Sequence, residues 1–467
     1  MKKKLLCLSF VILFGFAPKN CLAKYSGGNG SESNPYRISD AYDMNDIGLH
    51  QEDWASHFVL TNDIDLAQFT GTQFNIIGND SNAFTGIFDG NDKTILNYNY
   101  DARAEFPSVT AIFSIVDDSS AGIKNLTLTD PNVIGLLPAV LVTSLVSGTM
   151  TNCNMEGGTI IGPGSNVIGG LVFGNTDGTI ENCTVSSFTI SGTGISGCIA
   201  GINEGYLSGC HASGSINTGM AGMLVGANDG GTISDCTSSG TVLAFIAGGL
   251  LGENQKNGTV MHCQSSCNVF GNQGAGGLVG NNGRLFGPGT ITECFATGDV
   301  GVGSGSSTVE GHGGLVGINF DGTISNCYAL GSVTGDDRVG GLVGENSASV
   351  SNCYSAGLVS GATNIGGSIG YDDGGSGIYT KCFWDSDVNP DVNGIGNTTD
   401  PNVIGKSTSE MQKESTFTDW DFIEIWNIGE NQTYPFLRVY PAGDLNHDGR
   451  VDGRDLAIIA SHWLDGI

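Results

Sequence analysis

The chain has 467 residues, of which 75 are glycine and only 11 proline, and 39% are hydrophobic. That composition excludes a collagen-like or low-complexity disordered chain and leaves material for a sizeable core. The formal charge of −29 at pH 7 argues against nucleic acid or anionic lipid as partners and leaves calcium and polycations open.

The first 23 residues, MKKKLLCLSFVILFGFAPKNCLA, join three lysines, an apolar run and a small-residue exit at Ala23. This is the layout of a secretory signal peptide, and the apolar run is shorter than the ~18–20 residues that span a bilayer. Cleavage after Ala23 removes four lysines and no acid, taking the charge to −33. Export to the outside of a bacterial cell, secreted or held at its surface, is the expectation.

A period dominates the rest of the chain. Cys153, Cys183, Cys210, Cys236, Cys263, Cys294, Cys327, Cys353 and Cys382 recur every 26 to 33 residues. Upstream of them stand phrases such as Gly276-Gly277-Leu278-Val279-Gly280 and Gly313-Gly314-Leu315-Val316-Gly317. Asparagines come next at Asn203, Asn228, Asn254, Asn282, Asn319 and Asn346, and an aliphatic residue lies three before seven of the cysteines, at Ile180, Leu207, Ile233, Val260, Ile291, Ile324 and Val350. Each unit holds two or three apolar runs too short for a helix, separated by Gly, Asn and Asp turns. Short strands at fixed length predict an all-β, parallel β-solenoid of about ten coils, one per unit. In it the glycines serve corners or close backbone approach. The asparagines either stack in a ladder or sit in exposed turns.

The cysteines admit three readings: disulfides, since the chain is exported; a metal site, for which no CxxC or Cys/His cluster exists; or buried free thiols stacked as small apolar residues, the reading the in-register spacing favours. Cys198 and Cys267 fall off the period, and Cys267 lies within reach of a local bridge to Cys263.

The phrase G-G-L-V-G-x-N followed by G-T-I-x-N-C resembles the GLUG repeat over roughly residues 110 to 390. Residues 24 to 100, with Asn34-Pro35-Tyr36-Arg37-Ile38-Ser39 and HFVLTNDIDL, resemble the usual lead-in to such arrays; GKSTSEMQKESTFTDWDF and Tyr434-Pro435-Phe436-Leu437 resemble the usual tail. The resemblance implies a β-helical array of the kind found in bacterial surface proteins and beside some immunoglobulin-A-cleaving metallopeptidases. The resulting organisation is a signal peptide at 1–23, an N-terminal cap at 24–83, the solenoid at 84–398, a tail at 399–441 and a separate C-terminal module at 442–467.

Catalytic motifs are sparse. The seven histidines never form HExxH, so the zinc chemistry of those peptidases is not expected. Gly366-Gly367-Ser368-Ile369-Gly370 satisfies G-x-S-x-G but is a copy of the repeat phrase with Ser in the leucine place. Asp336 and Asp337 beside Arg338, and Asp372 with Asp373, are the acids a polysaccharide lyase or hydrolase would need, and all fall in expected turns.

The C-terminal module has its own signature. In DLNHDGRVDGRD, Asp444, Asn446, Asp448, Arg450 through its carbonyl, Asp452 and Asp455 occupy positions 1, 3, 5, 7, 9 and 12 of a calcium loop, with Gly449 at the sharp sixth place. The next stretch, LAIIASHWL, places Leu456, Ile459, Ala460, Trp463 and Leu464 on one helical face. Loop and helix together resemble one repeat of a dockerin, which implies Ca2+ as cofactor and a cohesin-like protein as partner. A dockerin pairs two such repeats and Gly443 to Ile467 has room for one, so a calcium-stabilised cap is the alternative.

These features support two functions. One is a non-catalytic surface, adhesive or carbohydrate-binding scaffold; the other is a polysaccharide hydrolase or lyase, or its accessory subunit, recruited through the dockerin-like end. Calorimetry tests the loop: calcium binding is expected for the full chain, and unchanged binding after Asp444→Ala with Asp448→Ala would remove the assignment.

Overall fold

The computed structural model describes residues 24–103, 109–283, 286–303 and 310–438. The expected signal segment and the expected calcium loop, Asp444, Asn446, Asp448, Arg450, Asp452 and Asp455 included, lie outside the described residues.

The chain winds into a parallel β-solenoid. A representative coil comprises the strands Val316–Asn319, Thr323–Ser325, Tyr328–Ala329, Val333–Thr334 and Asp337–Gly340, and each pairs in parallel with its counterpart one coil later. On one face, twelve successive parallel pairings lead from Tyr36–Ile38 to Ile378–Thr380. The solenoid therefore has about twelve turns, against the ten or so that the repeat count implies, and a length of roughly 55–60 Å at ~4.8 Å per coil. The difference arises because the lead-in carries the stack without the Gly-Gly-Leu-Val-Gly phrase: Tyr36–Ile38 and His57–Leu60 are already its first strands. The helix Ala41–Ile47, N-capped by Asp40, buries Met44 and Ile47 against this end.

Alternation along each strand sends one residue of every pair inward. Ile233, Val260, Ile291, Ile324 and Val350 form one fully buried aliphatic column, and Leu250, Leu278, Leu315 and Leu342 another. The asparagines form the ladder. Nδ2 of Asn175 donates to Oδ1 of Asn203 at 2.8 Å, and the chain continues through Asn228, Asn254, Asn282 and Asn319 to Asn346 at 2.7–3.0 Å. All seven are buried. The ladder is directional: Asn175 Oδ1 has no hydrogen-bond partner at the first rung, and Asn346 ends it by donating to the Tyr379 hydroxyl at 3.1 Å.

The glycines act by close approach. A Cβ on Gly317 would lie 2.5 Å from the backbone of Gly274 and 2.6 Å from the Gly280 carbonyl oxygen, and one on Gly322 would overlap the Asn282 side-chain amide. Neither has a positive φ. Left-handed backbone falls instead on the residue before each ladder cysteine: Asn152, Asn182, Gly209, Asp235, His262, Glu293, Asn326, Asn352 and Lys381 all have φ between 49° and 62°. Asn, Asp and Gly tolerate that conformation, which explains the recurring Asn-Cys pair.

After the last coil the tail turns back along the side of the stack. Phe295, Tyr328 and Tyr354 stack nearly parallel on successive coils, with centroids 4.7 and 5.1 Å apart, and Phe417, Trp420 and Trp426 of the tail pack over Tyr354. The Tyr354 hydroxyl donates to the Pro435 carbonyl at 2.6 Å, while buried Asp385 accepts from Thr408 Oγ1 and the Tyr434 hydroxyl, both at 2.7 Å. A Ser407–Glu410 capping box begins the short helix Thr408–Met411.

Replacing a mid-ladder amide breaks three coils at once. Asn254→Ala leaves Asn228 Nδ2 with only its Gly231 carbonyl partner and takes the Asn254 donor from Asn282 Oδ1, and is expected to lower unfolding stability by roughly 3 kcal/mol. Asn175→Ala, at the end whose oxygen is already unpartnered, is expected to cost less; denaturant titration of the two variants compares them.

Candidate functional site

The recurring cysteines are the most conspicuous chemical groups of the repeat, and all eleven within residues 24–438 are buried free thiols. The amide N–H of Cys294 donates to Cys327 Sγ at 3.4 Å, that of Cys327 to Cys353 Sγ at 3.4 Å, and the same contact recurs from Cys153 onward. Each Sγ points back at the carbonyl two residues before it, as Cys327 does to Ser325 at 3.1 Å. Burial away from water pushes Cys382 up to about 12 and Cys267 up to about 11, and raises Cys198 as well. The thiols are core, as the spacing suggested, and Cys267 forms no bridge to Cys263.

The formal G-x-S-x-G lies inside the strand Thr363–Asp372, with Ser368 fully buried. A nucleophile elbow needs an exposed strand-to-helix turn, and this is neither.

The acids divide. Asp336 is exposed at a turn, and Asp372 Oδ1 accepts from the Gly377 N–H at 3.0 Å. Around Arg338, however, the structure assembles a cluster. Nη1 lies 2.7 Å from Glu345 Oε2 and 3.5 Å from Glu310 Oε2, and Nε lies 3.5 Å from Asp337 Oδ2. The guanidinium also sits over the Tyr371 ring, 4.7 Å from its centroid. Burial pulls the Arg338 pKa down, but the hydrogen bond to Glu345 and the charges of Glu345, Glu310 and Asp337 together outweigh it and raise the pKa. Arg338 and Asp337 were visible as a pair in sequence. Glu310 and Glu345 were not, because they arrive from the preceding coil and from across the Gly-Gly-Leu-Val-Gly turn. The strands aim both at one point, and no linear spacing announces it. Among the described residues, no group of three or more His, Cys, Asp and Glu side chains is arranged to hold a metal ion, and no helix is long and apolar enough to cross a membrane.

A second cluster lies on the left-handed corner. His262 stands between carboxylates of the neighbouring coils, Nδ1 3.5 Å from Asp235 Oδ1 and Nε2 3.2 Å from Glu293 Oε2. The hydrogen bond to Glu293 raises its pKa above the usual 6.5 against a smaller desolvation effect. The tail adds a shallow depression, lined by Glu414, Phe417, Asp419, Trp420, Phe422 and Glu430.

Two measurements check these groups. Thiol titration of the native protein with a water-soluble disulfide reagent is expected to find no reactive cysteine among the eleven, and all of them after unfolding. For His262, the folded pKa exceeds the unfolded one, so its stabilising contribution is complete below about 6.5 and is lost as pH rises through the folded value. NMR titration of His262 is expected to show this raised pKa, and Glu293→Gln to return it toward the ordinary value.

Comparison with known proteins adds the lineage. A family model described as the GLUG motif matches residues 271–301 and 311–334. Halomucin of Haloquadratum walsbyi is 32% identical over 340 residues, which cover 68% of this chain and 4% of halomucin. A provisionally named Gly-rich membrane protein of Evansella cellulosilytica is 32% identical over 171 residues, 34% of this chain and 15% of that protein. The chain thus spans a small part of the length of the curated relatives it matches. A solved chain from Bacteroides ovatus, provisionally assigned as an immunoglobulin A1 protease, aligns over 89% of this chain and 95% of its own length at 17% identity and a TM-score of 0.33. The two matched GLUG motifs thus fall on successive coils of a parallel β-solenoid.

Proposed function

We propose that the protein is a non-catalytic, exported scaffold: a rigid β-solenoid that displays an adhesive or carbohydrate-binding surface at the bacterial cell exterior. The observation that carries this reading is where the repeat places its reactive groups. The residues that recur in every unit, the cysteines and the ladder asparagines, are buried, and their hydrogen bonds run to the neighbouring coils. The outward positions are not committed to the stack, and they are where a scaffold carries specificity. The names of two relatives, a mucin-like one and a membrane one, agree with a place at the cell surface. Asp444, Asn446, Asp448, Arg450, Asp452 and Asp455 would bind Ca2+ in a dockerin-like module, whose partner would be a cohesin-like protein.

The Arg338 cluster supports a second reading, a polysaccharide-acting enzyme brought to its substrate by the same module, since carboxylates beside a cation are what lyase and hydrolase chemistry uses.

Retention on cell-envelope fractions and glycans, with and without calcium, tests the first reading. Binding to at least one fraction is expected, and its absence from all of them would sink the scaffold. For the second reading, release of reducing or unsaturated sugar ends from a polysaccharide panel is the measurement. No release is expected; release abolished by Glu345→Gln would replace the scaffold with the enzyme.

A further inference from the structure

One face of the solenoid differs from the rest of this acidic molecule. The strands from Thr149 to Ser351 that precede the cysteine corner pair coil on coil without a register shift. Their central residues, Met150 through Val350, point into the core, so the flanking residues of each strand form two rows on the other side, ~4.8 Å apart along the axis and ~6–7 Å across. Within the second row Ser234, itself buried, donates to Ser208 Oγ at 3.1 Å and Ser325 to Thr292 Oγ1 at 3.1 Å. The first row runs from Thr149 to Ser349 and carries Thr or Ser in every coil except that of Tyr206; the second runs from Thr151 to Ser351 and departs from Ser and Thr only at Glu181 and Met261. Glu181 is thus the one charged side chain in either row, on a chain of net charge −29.

A second observation points the same way. Exposed aromatic rings lie on and beside this face: Tyr206, 39% exposed, stands in the first row with its hydroxyl 3.2 Å from Ser234 Oγ, while Phe286 and Phe320 are 63% and 40% exposed. Phe286 and Phe320 stand in the turns that enter the face on successive coils, before Gly289–Thr292 and Thr323–Ser325. Tyr206 opens its own strand three coils earlier. Four coils, roughly 19 Å along the axis, separate Tyr206 from Phe320. Glu204 and Asp229 are both reached by Lys256, whose Nζ also lies 5.8 Å from the centre of the Phe286 ring.

We propose that this face is a docking surface for a neutral polysaccharide lying lengthwise along the solenoid, its sugar rings stacked on Phe286, Phe320 and Tyr206 and its hydroxyls paired with the Ser and Thr rows. Aromatic faces take the apolar C–H side of a sugar, and hydroxyl side chains both donate and accept, so neither row demands a fixed hydroxyl orientation. The missing charge on the rows and the acidity of the whole molecule select against uronate or sulfated chains. This inference rests on the scaffold reading and names its ligand class.

Affinity electrophoresis of the full chain in gels containing hydroxyethyl cellulose, galactomannan or polygalacturonate tests it. Retardation by a neutral polysaccharide and not by polygalacturonate is expected. Phe286→Ala with Phe320→Ala is expected to weaken it at least tenfold, as is Thr290→Lys in the first row. Phe245→Ala, on a different face and 50% exposed, is expected to leave it unchanged, and thermal melts check that each variant is folded. The proposal is overturned by retardation with neither neutral polymer, by an unaffected double variant, or by loss on Phe245→Ala. It is also overturned if the double variant abolishes self-association in sedimentation while no glycan binds, which would assign the face to a second copy. Each of these outcomes leaves the scaffold reading standing, because retention on envelope fractions is measured separately.

Discussion

The structure depends on equivalent side chains being able to stack on themselves at the spacing of a parallel β-sheet. Few polar groups do this in a core without leaving something unsatisfied. Asparagine does, because one amide carries both a donor and an acceptor, so an identical group above and another below complete its hydrogen bonding. The buried run from Asn175 to Asn346 is such a column, and the interior amides also reach turn carbonyls, as Asn254 does to Gly258 at 3.1 Å. That pins the turn next to the strand. Gly322 must then lack a side chain because the ladder occupies the space, and Gly317 must lack one because the neighbouring coil's backbone does.

The cysteine column solves a related problem by a weaker means. Sulfur is small, polarizable and a poor hydrogen-bonding group, so it fills a narrow corner at little desolvation cost and receives the N–H of the coil before it. The corner itself requires left-handed backbone, for which Asn, Asp and Gly are suited and for which His262, Glu293 and Lys381 are not. All three of those residues carry ion pairs, His262 and Glu293 with each other and Lys381 with Asp419. Where the best-suited corner residue is absent, a charge contact across coils or to the tail stands in its place.

Because repeat positions are committed to the stack, functional variety is confined to what points outward and to the ends. The Arg338 cluster, the hydroxyl face with its aromatic rings and the tail packed over Tyr328 and Tyr354 all belong to that outward or terminal set. The tail also hides aromatic surface that the last coils would otherwise expose, since Phe383 and Tyr354 meet Phe417 and Trp420 there.

The sequence by itself determined the parallel solenoid, its unit length, the inward cysteines and the asparagine ladder as one of two readings. All of these repeat, and repetition converts a weak local signal into a strong one. An aromatic follows each of the last four cysteines, at Phe295, Tyr328, Tyr354 and Phe383, and the structure shows these to be the strip the tail covers. Tertiary structure alone decided the rest. It showed that the lead-in is already part of the stack, that of the two roles open to the glycines Gly317 serves close approach, and that Glu310 and Glu345 converge on Arg338. Those features depend on which residues meet across coils of unequal length, and a spacing of 26 to 33 residues does not encode that geometry.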